Sequence, residues 1–107
     1  YGCTAEVSVI KGYPVTINDV QSSEKAIEVS SILFGKDSVK TNMAPSMGAE
    51  DFAYMLEKIP GSYIWLGAGE GKSGCMLHNT KYDFNDNIIP LGISYWEQLV
   101  KSELPLR

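Results

Sequence analysis

His78 is the one histidine in this 107-residue chain. A neutral imidazole ligates transition metals, and near neutral pH it also moves protons. Asp83 and Asp86 follow it closely, and a carboxylate beside a ligating histidine commonly orients the second ring nitrogen. Both acids have plainer roles available, Asp86 as a helix cap and Asp83 as a solvated loop residue. Cys75 precedes the histidine at Cys-x-x-His spacing. A zinc centre takes four protein ligands, or three and a water, and no second Cys/His pair exists in the sequence. The motif is therefore not an autonomous metal site, and Cys75 reads as a loop thiol. His78 is either one piece of a site or a loop histidine that bonds a carbonyl or faces solvent.

The second candidate is Gly48-Ala49-Glu50-Asp51. A glycine ahead of a helix N-terminus lets backbone amides approach an anion such as a substrate carboxylate. Glu50 and Asp51 oppose that use unless they point away. They could instead meet a metal or an ammonium group, or simply complement the positive end of the helix dipole. Gly67-Ala68-Gly69-Glu70-Gly71 has a superficial likeness to a phosphate loop. It lacks the G-x-x-x-x-G-K-[ST] order and opens no helix, so nucleotide binding is rejected. No Gly-x-Ser-x-Gly nucleophile elbow is present.

The elements that must position these residues alternate in type. Residues 5–10 place Val7 and Val9 on one face and Glu6 and Ser8 on the other, the mark of a half-buried strand. Tyr13, Val15 and Ile17 resume that parity, but Pro14 removes a ladder donor and fits an edge or a connector. Asn18 or Asp19 caps a helix whose stripe is Val20, Ile27 and Phe34, with Ala26 and Leu33 alongside, and Gly35 supplies a left-handed C-terminal cap. A short strand fits around Val39. Residues 49–58 read as a short helix stopped by Pro60-Gly61. Residues 62–67 form a continuous apolar run, which predicts a strand buried on both faces under helices. Residues 68–76 read as a mobile, glycine-rich loop. Asp86 caps a last helix with an apolar face of Ile88, Ile89, Gly92, Tyr95, Trp96, Leu99 and Val100. The alternation predicts an α/β fold.

Composition bounds the function classes. An apolar content of 44% and a charged content of 21% are ordinary for one small soluble domain. The net charge is −4 and no Lys/Arg cluster appears, so neither nucleic acid nor an anionic membrane is expected as a partner. No apolar run approaches the roughly 20 residues of a membrane span. Cys3 and Cys75 make no disulfide framework and fit a reducing, cytoplasmic setting; the sequence leaves their pairing open. The chain opens on Tyr1 within a strand-like pattern, which predicts a segment of a larger protein.

Two blocks go beyond pattern. Ser46-Met47-Gly48-Ala49-Glu50-Asp51-Phe52 is followed about 25 residues later by Leu77-His78-Asn79-Thr80-Lys81-Tyr82-Asp83-Phe84-Asn85-Asp86 and by Ile89-Pro90-Leu91-Gly92. Together they resemble the C-terminal part of hippurate hydrolase-like enzymes, metal-dependent N-acyl-amino-acid amidohydrolases related to aminoacylase and carboxypeptidase metallopeptidases. Residues 13–19 look like that family's return from its lid domain. The resemblance implies a zinc-exopeptidase-like αβα catalytic domain, with helices over a short mixed or parallel sheet. Residues 1–11 would be the last strand of the lid and residues 12–107 the closing part of the catalytic domain.

It also implies two divalent metals (zinc, manganese or cobalt), with His78 as one ligand and Gly48 and Glu50 near the substrate. The remaining ligands and the general-base glutamate of the family lie in earlier segments that do not occur in this chain. The partners implied are a small N-acyl amino acid or peptide, the N-terminal part of the same enzyme, and a second copy in a homodimer. The expectation is a segment of an amidohydrolase, inactive by itself. The competing expectation is a non-catalytic interaction module that pairs through exposed sheet edges.

Overall fold

The computed structural model describes residues 2–69 and 74–104. Its helices form where local chemistry supports them. Asp19 is extended (φ −67°, ψ 140°) and opens α1 (Val20–Phe34). Its Oδ1 accepts from the Ser22 amide at 2.8 Å and from Ser22 Oγ at 2.9 Å, so one helix-end donor is satisfied by a side chain. Ser23 Oγ donates back to the Asp19 carbonyl at 2.7 Å. At the other end Gly35 takes φ 80° and ψ 148°, and its amide reaches the Ser31 carbonyl at 3.1 Å. The positive φ is the one expected of a glycine cap. Its ψ is extended rather than helical, so the chain leaves α1 at once into a 3-10 turn at Lys36–Ser38.

The next helix, α2 (Phe52–Leu56), has only five residues, shorter than the 49–58 read from sequence. Its entry is a turn in which the Ala53 and Tyr54 amides donate to the carbonyls of Glu50 and Asp51. Its exit crowds the Lys58 and Ile59 amides onto the Met55 carbonyl, both at 2.9 Å, and Pro60 has no amide with which to continue.

A 3-10 turn, Asp86–Ile88, leads into α3 (Ile89–Glu103). The expected cap at Asp86 is corrected. Asn85 is the extended residue, and its side chain accepts from the Asn87 amide at 3.2 Å. Asp86 sits inside the turn. Pro90 follows in the first turn of α3, where a missing amide costs nothing.

The core lies between α1 and α3. Ala26, Val29 and Tyr95 are buried there, with Leu33, Phe34 and Leu99 packed against them. Lys25 bridges the helices through Glu103 at 3.3 Å and also pairs with Glu28 at 3.1 Å. The expected stripe on α1 was rotated. Val29, only 1% exposed, is its centre, whereas Val20 remains 70% exposed. Tyr95 on α3 and Ile88 in the turn before it are buried, while Ile89, Trp96 and Val100 are exposed.

The strands expected at residues 5–10, near Val39 and at residues 62–67 do not form among the described residues. Alternating side chains record which face a strand would bury, but a strand exists only when a neighbour takes its backbone donors and acceptors. Val7, Val9 and Ile10 are exposed. The Cα radius of gyration reflects this open arrangement. It is 18.8 Å, against about 13 Å for a compact chain of this length. No described helix is long and apolar enough to cross a membrane.

Candidate functional site

His78 sits in a short loop with a distinctive backbone. Its φ is 67°, the one positive value at a non-glycine residue among the described residues. Side chains seldom adopt that region, because the β-carbon crowds the following carbonyl. Asn79 holds the loop beside it. The Asn79 amide donates to the Met76 carbonyl at 3.2 Å, and its own carbonyl accepts from the Tyr82 amide at 3.0 Å. Its side-chain Oδ1 takes the Lys81 amide at 2.9 Å. Farther on, Asn85 Nδ2 donates to the Ala68 carbonyl at 2.9 Å, tying the entry of α3 to the segment before the loop.

The resulting turn leaves His78 exposed. Asp83 and Asp86 are exposed as well, and Cys75 is half-buried. Among the described residues no group of three or more His, Cys, Asp or Glu side chains is placed to hold a metal ion. The second-sphere role considered for Asp83 and Asp86 is therefore not assembled here. His78 offers one ligand, and the described residues do not amount to a metal centre by themselves. The expected glycine-rich mobile loop falls partly on residues 70–73, outside the described residues.

Glu50 belongs to a different arrangement. Its Oε1 accepts from the Phe52 amide at 3.3 Å and its Oε2 from the Tyr63 hydroxyl at 3.1 Å. The Phe52 amide, first, then the Asp51 carboxyl and the Tyr63 hydroxyl, hold Glu50 below the usual carboxylate range. The same contact pushes the Tyr63 hydroxyl up, as does burial. The carboxylate thus occupies an amide at the start of α2 and closes it to an external anion, as the opposition of Glu50 and Asp51 to that use predicted. Gly48, exposed in the loop ahead, has no positive φ, and a β-carbon there would meet only Ser46 Oγ, at 3.6 Å. Nothing in its surroundings among the described residues requires glycine.

Tyr63 is itself gripped from behind. Asn18 Nδ2 donates to the Tyr63 carbonyl at 2.9 Å, and Asn18 Oδ1 accepts from the Tyr63 amide at 2.8 Å. The side-chain amide pairs with the backbone as a neighbouring peptide would. The Asp19 amide adds a bond to the Gly61 carbonyl at 2.9 Å. The Tyr63 ring lies 5.5 Å from that of Phe52 and 5.9 Å from that of Trp65. An open cleft of about 400 Å³ lies between residues 17–19 and 56–61 and includes neither His78 nor Glu50. Sequence reasoning missed both Asn18 as a clamp and Tyr63 as a partner of Glu50. Asn18 was visible only as an alternative cap, and Tyr63 only as one apolar residue of a strand.

Residues 3–102 match the model of peptidase family M20/M25/M40. Thermostable carboxypeptidase 2 of Saccharolobus solfataricus is 33% identical over 95 residues, which cover 86% of this chain and 23% of that protein. Hippurate hydrolase of Campylobacter jejuni is 35% identical over 86 residues, 80% of this chain and 22% of that protein. N-acetyldiaminopimelate deacetylase of Enterococcus faecalis is 32% identical over 93 residues, 86% and 23% respectively. The chain spans about a quarter of the length of these curated relatives. No solved structure matches it.

Proposed function

Because the chain belongs to peptidase family M20/M25/M40, we propose that it is the C-terminal part of a metal-dependent amidohydrolase. The bond cleaved is the amide of an N-acyl amino acid or a related small peptide. The relatives support this reading through their names, which describe a carboxypeptidase, a hippurate hydrolase and an N-acetyldiaminopimelate deacetylase. The exposed, left-handed His78 carries it within the chain. Its loop presents an imidazole without burying it, as one ligand of a shared site requires.

The described residues do not complete a metal centre. His78 would take a single coordinating role, and no chemical step would run on this chain alone. The 107-residue chain by itself is expected not to hydrolyse amides. The other ligands, a second divalent metal and the general base would come from the rest of the enzyme. Residues 1–11 would close the lid domain, residues 12–107 the catalytic domain, and the sheet would form with strands of that larger body. Gly48 and Glu50 would lie at the substrate. A cytoplasmic homodimer is part of the same reading.

The test is a His78→Ala change in the complete enzyme. Metal content should fall by one ion per chain, and most turnover on N-acyl amino acids should be lost. Full metal occupancy with near-normal turnover would overturn the assignment.

A further inference from the structure

We propose that Tyr63 is a positioning residue that fixes the Glu50 carboxylate to receive a hydrogen-bond donor of the substrate, an amide N–H or an ammonium group. The inference rests on Glu50 lying at the substrate, as proposed above, and adds how it is held and what it accepts. Both carboxylate oxygens are engaged, Oε1 by the Phe52 amide at 3.3 Å and Oε2 by the Tyr63 hydroxyl at 3.1 Å. Two anchors on two oxygens fix both the position of the group and the rotation of its plane. A carboxylate accepts about four hydrogen bonds; with the Phe52 amide, the Tyr63 hydroxyl and the neighbouring Asp51 carboxyl on it, one place remains for a further donor.

The clamp has its own support. Asn18 holds the Tyr63 backbone through two bonds, at 2.8 and 2.9 Å. The Phe52 ring packs against the Tyr63 ring at 5.5 Å, so the residue whose amide holds Oε1 also braces the residue whose hydroxyl holds Oε2. Neutral O–H and N–H donors stabilise the charged form of the acid. The group presented is therefore an anion, with Asp51 as its neighbouring acid. An anion attracts donors and cations and repels a second carboxylate. Glu50 accordingly faces the amide or amino side of the substrate, not its free carboxylate.

Two variants of the complete enzyme, assayed on an N-acyl amino acid, test this. Tyr63→Phe keeps the ring and the backbone clamp but removes the hydroxyl. KM should rise about tenfold, the scale of one charge-assisted hydrogen bond, with kcat within about twofold. The acid limb of kcat/KM should move to higher pH, because a carboxylate that loses a donor gains a proton more readily. A residue that merely supports the fold would not move that limb. Glu50→Gln should raise KM at least as far. If Glu50→Gln leaves KM unchanged, Glu50 does not touch substrate and the proposal falls with that part of the reading. If Glu50→Gln raises KM but Tyr63→Phe changes neither KM nor the acid limb, Glu50 stands and the positioning role of Tyr63 is overturned. Should Tyr63→Phe fail to fold, Asn18→Ala, which releases the Tyr63 backbone, must give the same rise in KM, and an unchanged KM there overturns the proposal.

Discussion

Replacing His78 separates its backbone from its side chain. The residue holds φ at 67°, and for a residue with a β-carbon the left-handed region costs about 1–2 kcal/mol. Glycine carries no such cost, but it gives the unfolded chain more freedom, which offsets roughly 0.4–1 kcal/mol. His78 is exposed, so neither His78→Gly nor His78→Ala empties a packed site. Alanine keeps the β-carbon and hence the strain. His78→Gly should therefore be more stable than His78→Ala by about 0.5–1 kcal/mol, with alanine close to the parent. Urea unfolding followed by circular dichroism measures the difference. With a slope of about 1–2 kcal/mol per molar urea, the glycine midpoint should lie roughly 0.5 M above that of alanine. Both variants lose the imidazole, so neither should supply its metal ligand. A glycine midpoint equal to or below that of alanine would refute the argument, because the loop would then not be holding residue 78 against its preference.

Val29→Ala removes two carbons from the centre of the α1–α3 contact, where Val29 is 1% exposed. At about 0.8 kcal/mol per buried carbon plus a small cavity term, a loss of about 2 kcal/mol is expected in the same unfolding assay. Acid should weaken the start of α1. The Ser22 amide, then the Ser22 hydroxyl, hold Asp19 below the usual carboxylate range. Its contribution is fully present above the unfolded value of 3.8 and is lost as pH falls through the lower folded value. Asp19→Asn keeps an acceptor without a charge, so its midpoint should fall less between pH 5 and pH 2 than that of the parent. Parallel curves would count against the cap.

The sequence announced interactions that span a few residues. A cap at Asn18 or Asp19 ahead of an apolar stripe marked α1, and Gly35 marked its end by a φ that other residues avoid. Pro60 fixed the limit of α2. What the pattern blurred was rotation about the helix axis. Several apolar residues line α1, and only the packing of α3 shows that Val29, not Val20, is central. Asn85 and Asp86 are both capable caps, and the extended backbone of Asn85 decides between them. The contacts that hold Glu50 cross from residue 18 to 63 and from 63 to 50, and spacing along the chain carries no sign of them. A strand preference was legible at residues 5–10 and 62–67, but pairing depends on which backbones meet, and no strand forms there among the described residues. His78 was singled out by the block around it, and its left-handed backbone became visible only with the turn that Asn79 organises.

The Asn18–Tyr63 contact distributes tolerance to sequence drift unevenly. At position 63 the bond partners are a backbone amide and carbonyl, which every residue except proline supplies. The side chain there can change without opening the contact. At position 18 the partners are the donor and acceptor of one short side-chain amide. Aspartate would keep the acceptor and lose the donor, glutamine would overreach by a carbon, and alanine would offer nothing. Two bonds of a junction between distant segments thus depend on the identity of one asparagine, while the tyrosine opposite remains open to selection for its ring and its hydroxyl.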